Sequence, residues 1–201
     1  MYIIGITGGT GAGKSTVVKA LQAFGAEALD CDMIYHKLLF NNAEMISEIE
    51  ASFRDVSKDG RIDRHKLGEI VWNDPALLKK LNNITHKYVD DEIKKSIAFF
   101  ESQGVKKIAI DAIALVESGQ SKKCDIVIGV LAPHEKRVSR IMSRDSITRE
   151  YAQMRVNAQQ QDSFYQNNCD YILENVYNTQ ADFEEKCVEF LRYVLKEKCH
   201  E

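Results

Sequence analysis

"GITGGTGAGKST", residues 5–16, decides the fold. Within it, Gly8-Gly9-Thr10-Gly11-Ala12-Gly13-Lys14-Ser15 satisfies the pattern G-x-x-x-x-G-K-[ST] at every position, and Thr16 follows. The flanks give the string its meaning. Residues 1–7 form a short apolar, β-branched run that reads as a strand. Residues 14–24 carry helical periodicity through Val17, Val18, Leu21 and Phe24, with Gly25 as the stop. A glycine-rich turn between strand and helix curls the backbone so that successive N–H groups face an anion, and the helix adds its positive end. Without those flanks the segment would be a flexible turn that happens to precede Lys-Ser. With them it is a nucleoside triphosphate site, Lys14 reaching the β- and γ-phosphates and the Ser15 hydroxyl ligating Mg²⁺.

Further along, "AEALDCD", "KKIAIDAIAL", "CDIVIGVLA" and "CDYILEN" are apolar runs of strand length separated by helical segments. Strands buried on both faces and linked by helices imply a parallel sheet. Residues 33–103 differ, because their patterns are helical: "AEMISEIEASF", "RHKLGEIVW" and "PALLKKLNNITHKYVDDEIKKSIAFFES", with Asp59-Gly60 marking a turn between the first two. That excursion is longer than a crossover requires and reads as an inserted substrate-binding subdomain. Residues 133–168 are helical and rich in arginine and glutamine. From residue 179 a closing amphipathic helix puts Phe183, Cys187, Phe190, Leu191, Val194 and Leu195 on one face. The expected fold is α/β: a P-loop NTPase-type parallel sheet flanked by helices, with a helical insertion and a helical lid. Residues 1–32, 104–136 and 169–201 would form the nucleotide-binding core, 33–103 the insertion and 137–168 the lid.

Composition bounds the partners. A chain of 201 residues, 44% hydrophobic and 28% charged, holds one domain with a sizeable core. Its net charge of −3 offers no global attraction to nucleic acid or an anionic membrane, and no apolar run approaches a membrane span. The first seven residues run straight into the glycine loop and are too short for a secretory leader. Five cysteines, odd in number and without a CxxC pair, read as reduced thiols of a cytoplasmic protein. The five histidines show no metal-ligand spacing, so no structural zinc is expected. A monomer is the expected state.

Two groups of charged residues carry the chemistry. Asp30 and Asp32 close the second expected strand, so both side chains should share one side at the sheet edge where ligands bind, with Cys31 on the other. Asp32 then suits the base that orients an attacking hydroxyl. For either aspartate the competing reading is a cap on the helix "MIYHKLL", and for Asp30 the two readings are balanced. In "EKRVSRIMSRDSITREYAQMRVNAQQQ", Arg137, Arg140 and Arg144 share one helical stripe beside the apolar Val138, Ile141 and Met142. Arg155 and Gln159 follow at i, i+4 on a second helix. Such helices can close over phosphates as a lid, or be a solvated basic face; beside a phosphate loop the lid is favoured.

Together these residues resemble the dephospho-CoA kinase family over nearly the whole chain. The resemblance runs through "GITGGTGAGKST", "LDCD", "DGRIDRHKLGEIVW", "LNNITH", "RIMSRD", "RVNAQ" and "CDYILEN". The first of these is common to all phosphate-loop enzymes; the insertion segments are far more specific. The resemblance implies transfer of the ATP γ-phosphoryl group to the ribose 3′-hydroxyl of dephospho-CoA, with ATP and Mg²⁺ as cofactors. It implies Asp32 as the catalytic aspartate, with Lys14 and the lid residue Arg140 assisting. Gly11, Ala12, Gly13, Lys14, Ser15 and Thr16 would hold ATP, with Arg144 in the lid and Asn175 near the adenine. Asp30, Arg64 and His86 would serve the substrate, although His86 reads equally well as an interior histidine. Ser15 would hold Mg²⁺ together with Asp111, which follows "KIAI" as a Walker B acid does. The chain departs from the family where Asp111-Ala112-Ile113-Ala114-Leu115-Val116-Glu117 replaces Asp-x-Pro-Leu-Leu-x-Glu, and where Lys87 follows His86 in place of a common proline. A kinase of similar build acting on a nucleoside, nucleotide or shikimate-like alcohol is the alternative enzyme. A nucleotide-dependent binding module is the alternative from another class.

Overall fold

The structure, a computed structural model, describes residues 1–58, 60–72 and 74–199. Along the chain run β1 (Tyr2–Thr7), α1 (Lys14–Ala23), β2 (Ala26–Asp30), α2 (Cys31–Asn41), α3 (Ala43–Ser52), β3 (Ser57–Lys58), β4 (Arg61–Ile62), α4 (Arg64–Trp72) and α5 (Pro75–Ser102). There follow β5 (Lys107–Asp111), β6 (Ile126–Leu131), α6 (His134–Asp145), α7 (Arg149–Asn157), α8 (Asp162–Asn168), β7 (Tyr171–Glu174) and α9 (Gln180–Cys199). They gather into two units, Met1–Leu29 with Phe100–Glu201, and Asp30–Phe99. The helical segment expected over 33–103 falls mostly in the second unit, and residues 137–168 lie inside the first.

The first unit is built on a sheet of order β2-β5-β1-β6-β7, in which β1 pairs in parallel with β5 and β6, and β6 with β7. The interior strand β6 is buried along its whole length, and β5 along all but its last residue, as strands covered on both faces must be. One covering layer is α1 and α9, where Val17, Leu21, Phe183, Cys187, Leu191 and Val194 join Ile4, Ile6 and Ile128 in one buried cluster. Each such side chain stabilises the fold by roughly 1.5–3 kcal/mol on burial. In register, Ile6 lies beside Asp111. This sets the end of β5 next to the start of the glycine loop.

The replaced family segment after β5 still turns. The Ala112 N–H reaches the Ile6 carbonyl at 3.1 Å and Leu115 is fully buried. The Thr7 hydroxyl donates to the Ile113 carbonyl at 2.9 Å. These contacts, not a proline ring, direct the chain.

The second unit is helical, with one feature that the sequence did not suggest. β3 and β4 form an antiparallel hairpin, Ser57 opposite Ile62 and Lys58 opposite Arg61. Gly60 turns it with φ of +72°; Asp59, the other residue of the expected turn, lies outside the described residues. Lys87, in place of a proline, pairs with Glu48 at 2.5 Å, and the Tyr88 hydroxyl donates to the same carboxylate at 3.0 Å. That ties α5 to α3.

The paired aspartates correct the strand reading. β2 stops at Asp30 and α2 begins at Cys31, so Asp30 and Asp32 do not alternate along one extended strand. Asp30 is the N-cap, its carboxylate accepting from the Met33 N–H at 2.9 Å, and Asp32 sits in the first helical turn. Capping wins because the free amides of a helix start need an acceptor that a strand end does not. Asp30→Ala should lower stability by about 1 kcal/mol in urea titration. A loss below a few tenths would show that water caps the helix equally well.

Candidate functional site

The glycine loop wraps the start of α1 in the manner required for an anion. Gly13 is the N-cap in the left-handed region, φ 111°, and no side chain caps the helix; the Thr16 N–H bonds the Gly13 carbonyl at 3.0 Å, and the positive end of the helix suits an anion. Gly8 has φ of +138°, and a Cβ there would collide with the Val130 carbonyl. Lys14, first residue of α1, donates from Nζ to the Gly8 carbonyl at 3.0 Å, so its ammonium is folded back across the loop. Ala12 is buried, Ser15 is exposed, and Gly11, Gly13 and Thr16 are half-buried.

Asp111 ends β5 with its Oδ1 withdrawn from solvent. Ser15 and Asp111 offer hard oxygen donors, one of them anionic. That set fits Mg²⁺, which keeps several waters and shares its shell with phosphate. Among the described residues no group of three or more His, Cys, Asp or Glu could hold a metal alone.

Behind the loop stand four polar side chains. Arg137 is only 7% exposed, and its Nε donates to the Thr10 carbonyl at 3.0 Å. Arg140 donates from Nη1 to the Gly11 carbonyl at 3.2 Å, and from Nη2 to Asn175 Oδ1 at 3.0 Å and the Tyr177 carbonyl at 3.2 Å. Asn175, itself buried, donates from Nδ2 to the Ala12 carbonyl at 2.8 Å. Gln159 bonds Thr10 through both ends of its carboxamide. Burial pulls both guanidinium pKa values down, and among the described residues neither Arg137 nor Arg140 has an ion-pair partner. Two poorly solvated positive charges therefore bias the loop toward a polyanion.

Arg144 lies further along α6. Its guanidinium holds Asp145 at 2.7 and 3.0 Å, and Arg155 of α7 reaches the same carboxylate at 2.6 Å. The two arginines hold the Asp145 carboxyl down to about 2, Arg144 first. A depressed carboxylate stabilises above its unfolded value of 3.8, so this tie weakens as the pH falls from there toward 2. Across α6 and α7, Val138, Ile141, Ala152 and Val156 form a buried cluster of their own, apart from that of the sheet, with Met142 packed against it.

In the second unit, Arg64 begins α4 and donates from Nη2 to His36 Nε2 at 3.1 Å. A guanidinium only donates, so His36 presents a bare Nε2 and carries its proton on Nδ1. Burial and Arg64 lower the His36 pKa, against the opposing pull of Asp32 and Asp30. The imidazole is thus neutral at pH 7. His86, half-buried in α5, is likewise held below its ordinary value by burial.

Sequence reasoning missed Gln159 and Arg137 as loop contacts. The arginine stripe pointed to Arg137; Gln159, expected on a helix with Arg155, lies past the end of α7, and its partner is 149 positions away.

A family model described as dephospho-CoA kinase matches residues 2–181. The dephospho-CoA kinase of Latilactobacillus sakei subsp. sakei is 31% identical over 99% of this chain and 96% of its own. That of Dehalococcoides mccartyi is 33% identical over 95% of this chain and 96% of its own. Among solved structures, a Thermus thermophilus protein superposes with a TM-score of 0.81 at 31% identity, covering 98% of this chain and 97% of that one. The dephospho-CoA kinase of Campylobacter jejuni gives 0.69 at 29%, covering 97% and 98%. A glycine loop on a helix without a side-chain cap, a half-buried acid at the neighbouring strand end and a match spanning nearly every element have one common source: the chain belongs to the dephospho-CoA kinase family.

Proposed function

We propose that this protein transfers the γ-phosphoryl group of ATP to the ribose 3′-hydroxyl of dephospho-CoA, giving CoA and ADP. Beside family membership, the observation that carries this reading is the start of α1, without a side-chain cap, beneath the glycine loop, with Lys14 folded across it. Phosphoryl transfer passes through a loose transition state, and the protein contributes position and charge neutralisation.

The loop amides and Lys14 hold the triphosphate tail. Ser15 and Asp111 would hold Mg²⁺, which neutralises charge on the β- and γ-phosphate oxygens when bound. Asp32 orients the acceptor hydroxyl and takes its proton as the oxygen bonds to the γ-phosphorus and the bond to the β-phosphate breaks. Arg144, exposed and held by Asp145, is the lid arginine suited to the departing charge. Arg140 adds its charge through the back of the loop. Arg64, oriented by His36, and His86 serve the acceptor, with Asp30 fixing the turn that carries Asp32. We place the reaction in the cytoplasm, where dephospho-CoA and ATP would be small soluble partners.

Incubation with Mg-ATP and dephospho-CoA should yield CoA by mass spectrometry with one ADP released per CoA formed. Faster ADP release with a free nucleoside or shikimate would reassign the acceptor. Hydrolysis indifferent to every acceptor would leave only a nucleotide-dependent module.

A further inference from the structure

The back of the phosphate loop is more completely bonded than its role as a flexible cradle needs. The carbonyls of Thr10, Gly11 and Ala12 each receive a side-chain donor, from Arg137, Arg140 and Asn175 respectively. The structure has no cis peptide bonds, and in a trans peptide the carbonyl and the following N–H point in opposite directions. Fixing these three carbonyls outward therefore turns the Gly11, Ala12 and Gly13 amides the other way. The Ala12 N–H closes the turn on the Gly9 carbonyl at 3.1 Å, and by the same trans geometry those of Gly11 and Gly13 point away from Arg137 and Asn175.

Thr10 is the most tightly held of the three. Gln159 Oε1 accepts from the Thr10 N–H at 2.9 Å and from Arg137 Nη2 at 2.6 Å. Both of those partners only donate, so the carboxamide orientation is settled by chemistry. Its Nε2 then donates to the Thr10 hydroxyl at 2.7 Å. The pair lies flat on Gly9, where a Cβ would stand 2.5 Å from Arg137 Cζ and 3.0 Å from Gln159 Oε1. This explains a glycine whose backbone angles need none. Gln159 follows α7 and Arg137 belongs to α6, so both segments are fastened to one residue of the loop, Gln159 at the N–H of the Gly9–Thr10 peptide and Arg137 at the carbonyl of the Thr10–Gly11 peptide.

We propose that Gln159 is a positioning residue of the nucleotide site, holding Thr10 by its N–H and hydroxyl and aiming Arg137 at the Thr10 carbonyl, and so setting the direction of the amides that meet the phosphates. It acts through the loop and touches no phosphate. The inference rests on the reading of the loop as the ATP site, and the test separates the two.

Affinities of the full chain for ADP and ATP are measured by calorimetry, and KM values for ATP and dephospho-CoA by coupled assay. Gln159→Ala should weaken ADP and ATP by the same factor, about tenfold, because the β-phosphate cradle is what loosens. KM for ATP should rise in step, and KM for dephospho-CoA should stay within twofold. Gln159→Glu keeps acceptors for the Thr10 N–H and Arg137 while the Thr10 hydroxyl turns to donate, so it should restore affinity to within about threefold. Thr10→Val removes one of the three bonds and should fall between.

Unchanged nucleotide affinity in Gln159→Ala overturns the proposal while leaving the loop as the ATP site. A loss confined to ATP also overturns it, since that would make Gln159 a γ-phosphate contact. Should the alanine variant fail to fold, a tenfold loss in Gln159→Glu with a normal melting temperature has the same force. A wild-type chain that binds neither nucleotide removes the reading of the loop and the proposal with it.

Discussion

Lys14→Met is expected to lower turnover about 10³-fold while the fold survives. Methionine keeps the length and apolar character of the lysine stem and deletes only the ammonium. In the structure that ammonium donates to a neutral acceptor, the Gly8 carbonyl at 3.0 Å. A triphosphate offers it anionic oxygens, and charge-assisted hydrogen bonds are roughly twice as strong as neutral ones. The exchange favours the bound nucleotide and favours the transition state more, because negative charge gathers on the bridging oxygen as the bond to the γ-phosphorus breaks. Nothing comparable replaces it: Arg137 and Arg140 are engaged with loop carbonyls on the other side of the backbone. The measurement is ADP release at saturating dephospho-CoA, with thermal unfolding as the control. Turnover within tenfold of wild type would mean that the amides alone carry the phosphate charge. Lys14→Arg is expected to recover little, since a planar fork does not replace a point charge in a curled loop.

The parts of this fold that could be read from sequence are those in which a residue's partner is near it in the chain, or in which burial leaves a periodic trace. β6 is visible as "IVIGVL" because both of its faces are covered, and α9 because one stripe of it is. Gly25 is visible as a stop because a left-handed residue after a helix favours glycine, and here φ is +80°. The β3–β4 hairpin was not visible because two residues per strand are too few for any period. Asp30 and Asp32 read as strand residues because Ala26, Ala28 and Leu29 give "AEALDCD" the look of a short strand. The competition between pairing and capping is settled at one residue, and no pattern reaches that resolution. The loop scaffold is the extreme case. Arg140 stood out in the arginine stripe and Asn175 through the family resemblance, yet their contacts with Gly11 and Ala12 span 129 and 163 positions, and a backbone carbonyl leaves no signature in the sequence.

Asp32→Asn should reduce turnover about 10²-fold or more with nucleotide affinity unchanged. The substitution keeps shape and removes the capacity to accept a proton. It leaves the helix start intact, because the bond to the Met33 N–H belongs to Asp30. This separation of roles makes the test clean: the neighbouring carboxylate does the structural work, and Asp32, exposed in the first turn, is spared for chemistry. The position suits an ionised carboxylate, since the positive end of α2 favours the anion. His36, one turn on, is kept neutral by burial and Arg64. If Asp32 takes the hydroxyl proton, the asparagine variant loses kcat, and KM for ATP and dephospho-CoA each stay within about threefold, because proton transfer is felt only in the transition state. A rise in KM for dephospho-CoA at unchanged kcat would instead make Asp32 a substrate-binding group. Turnover within threefold of wild type would remove it from the reaction, and the base would then have to be sought among Asp111 and solvent.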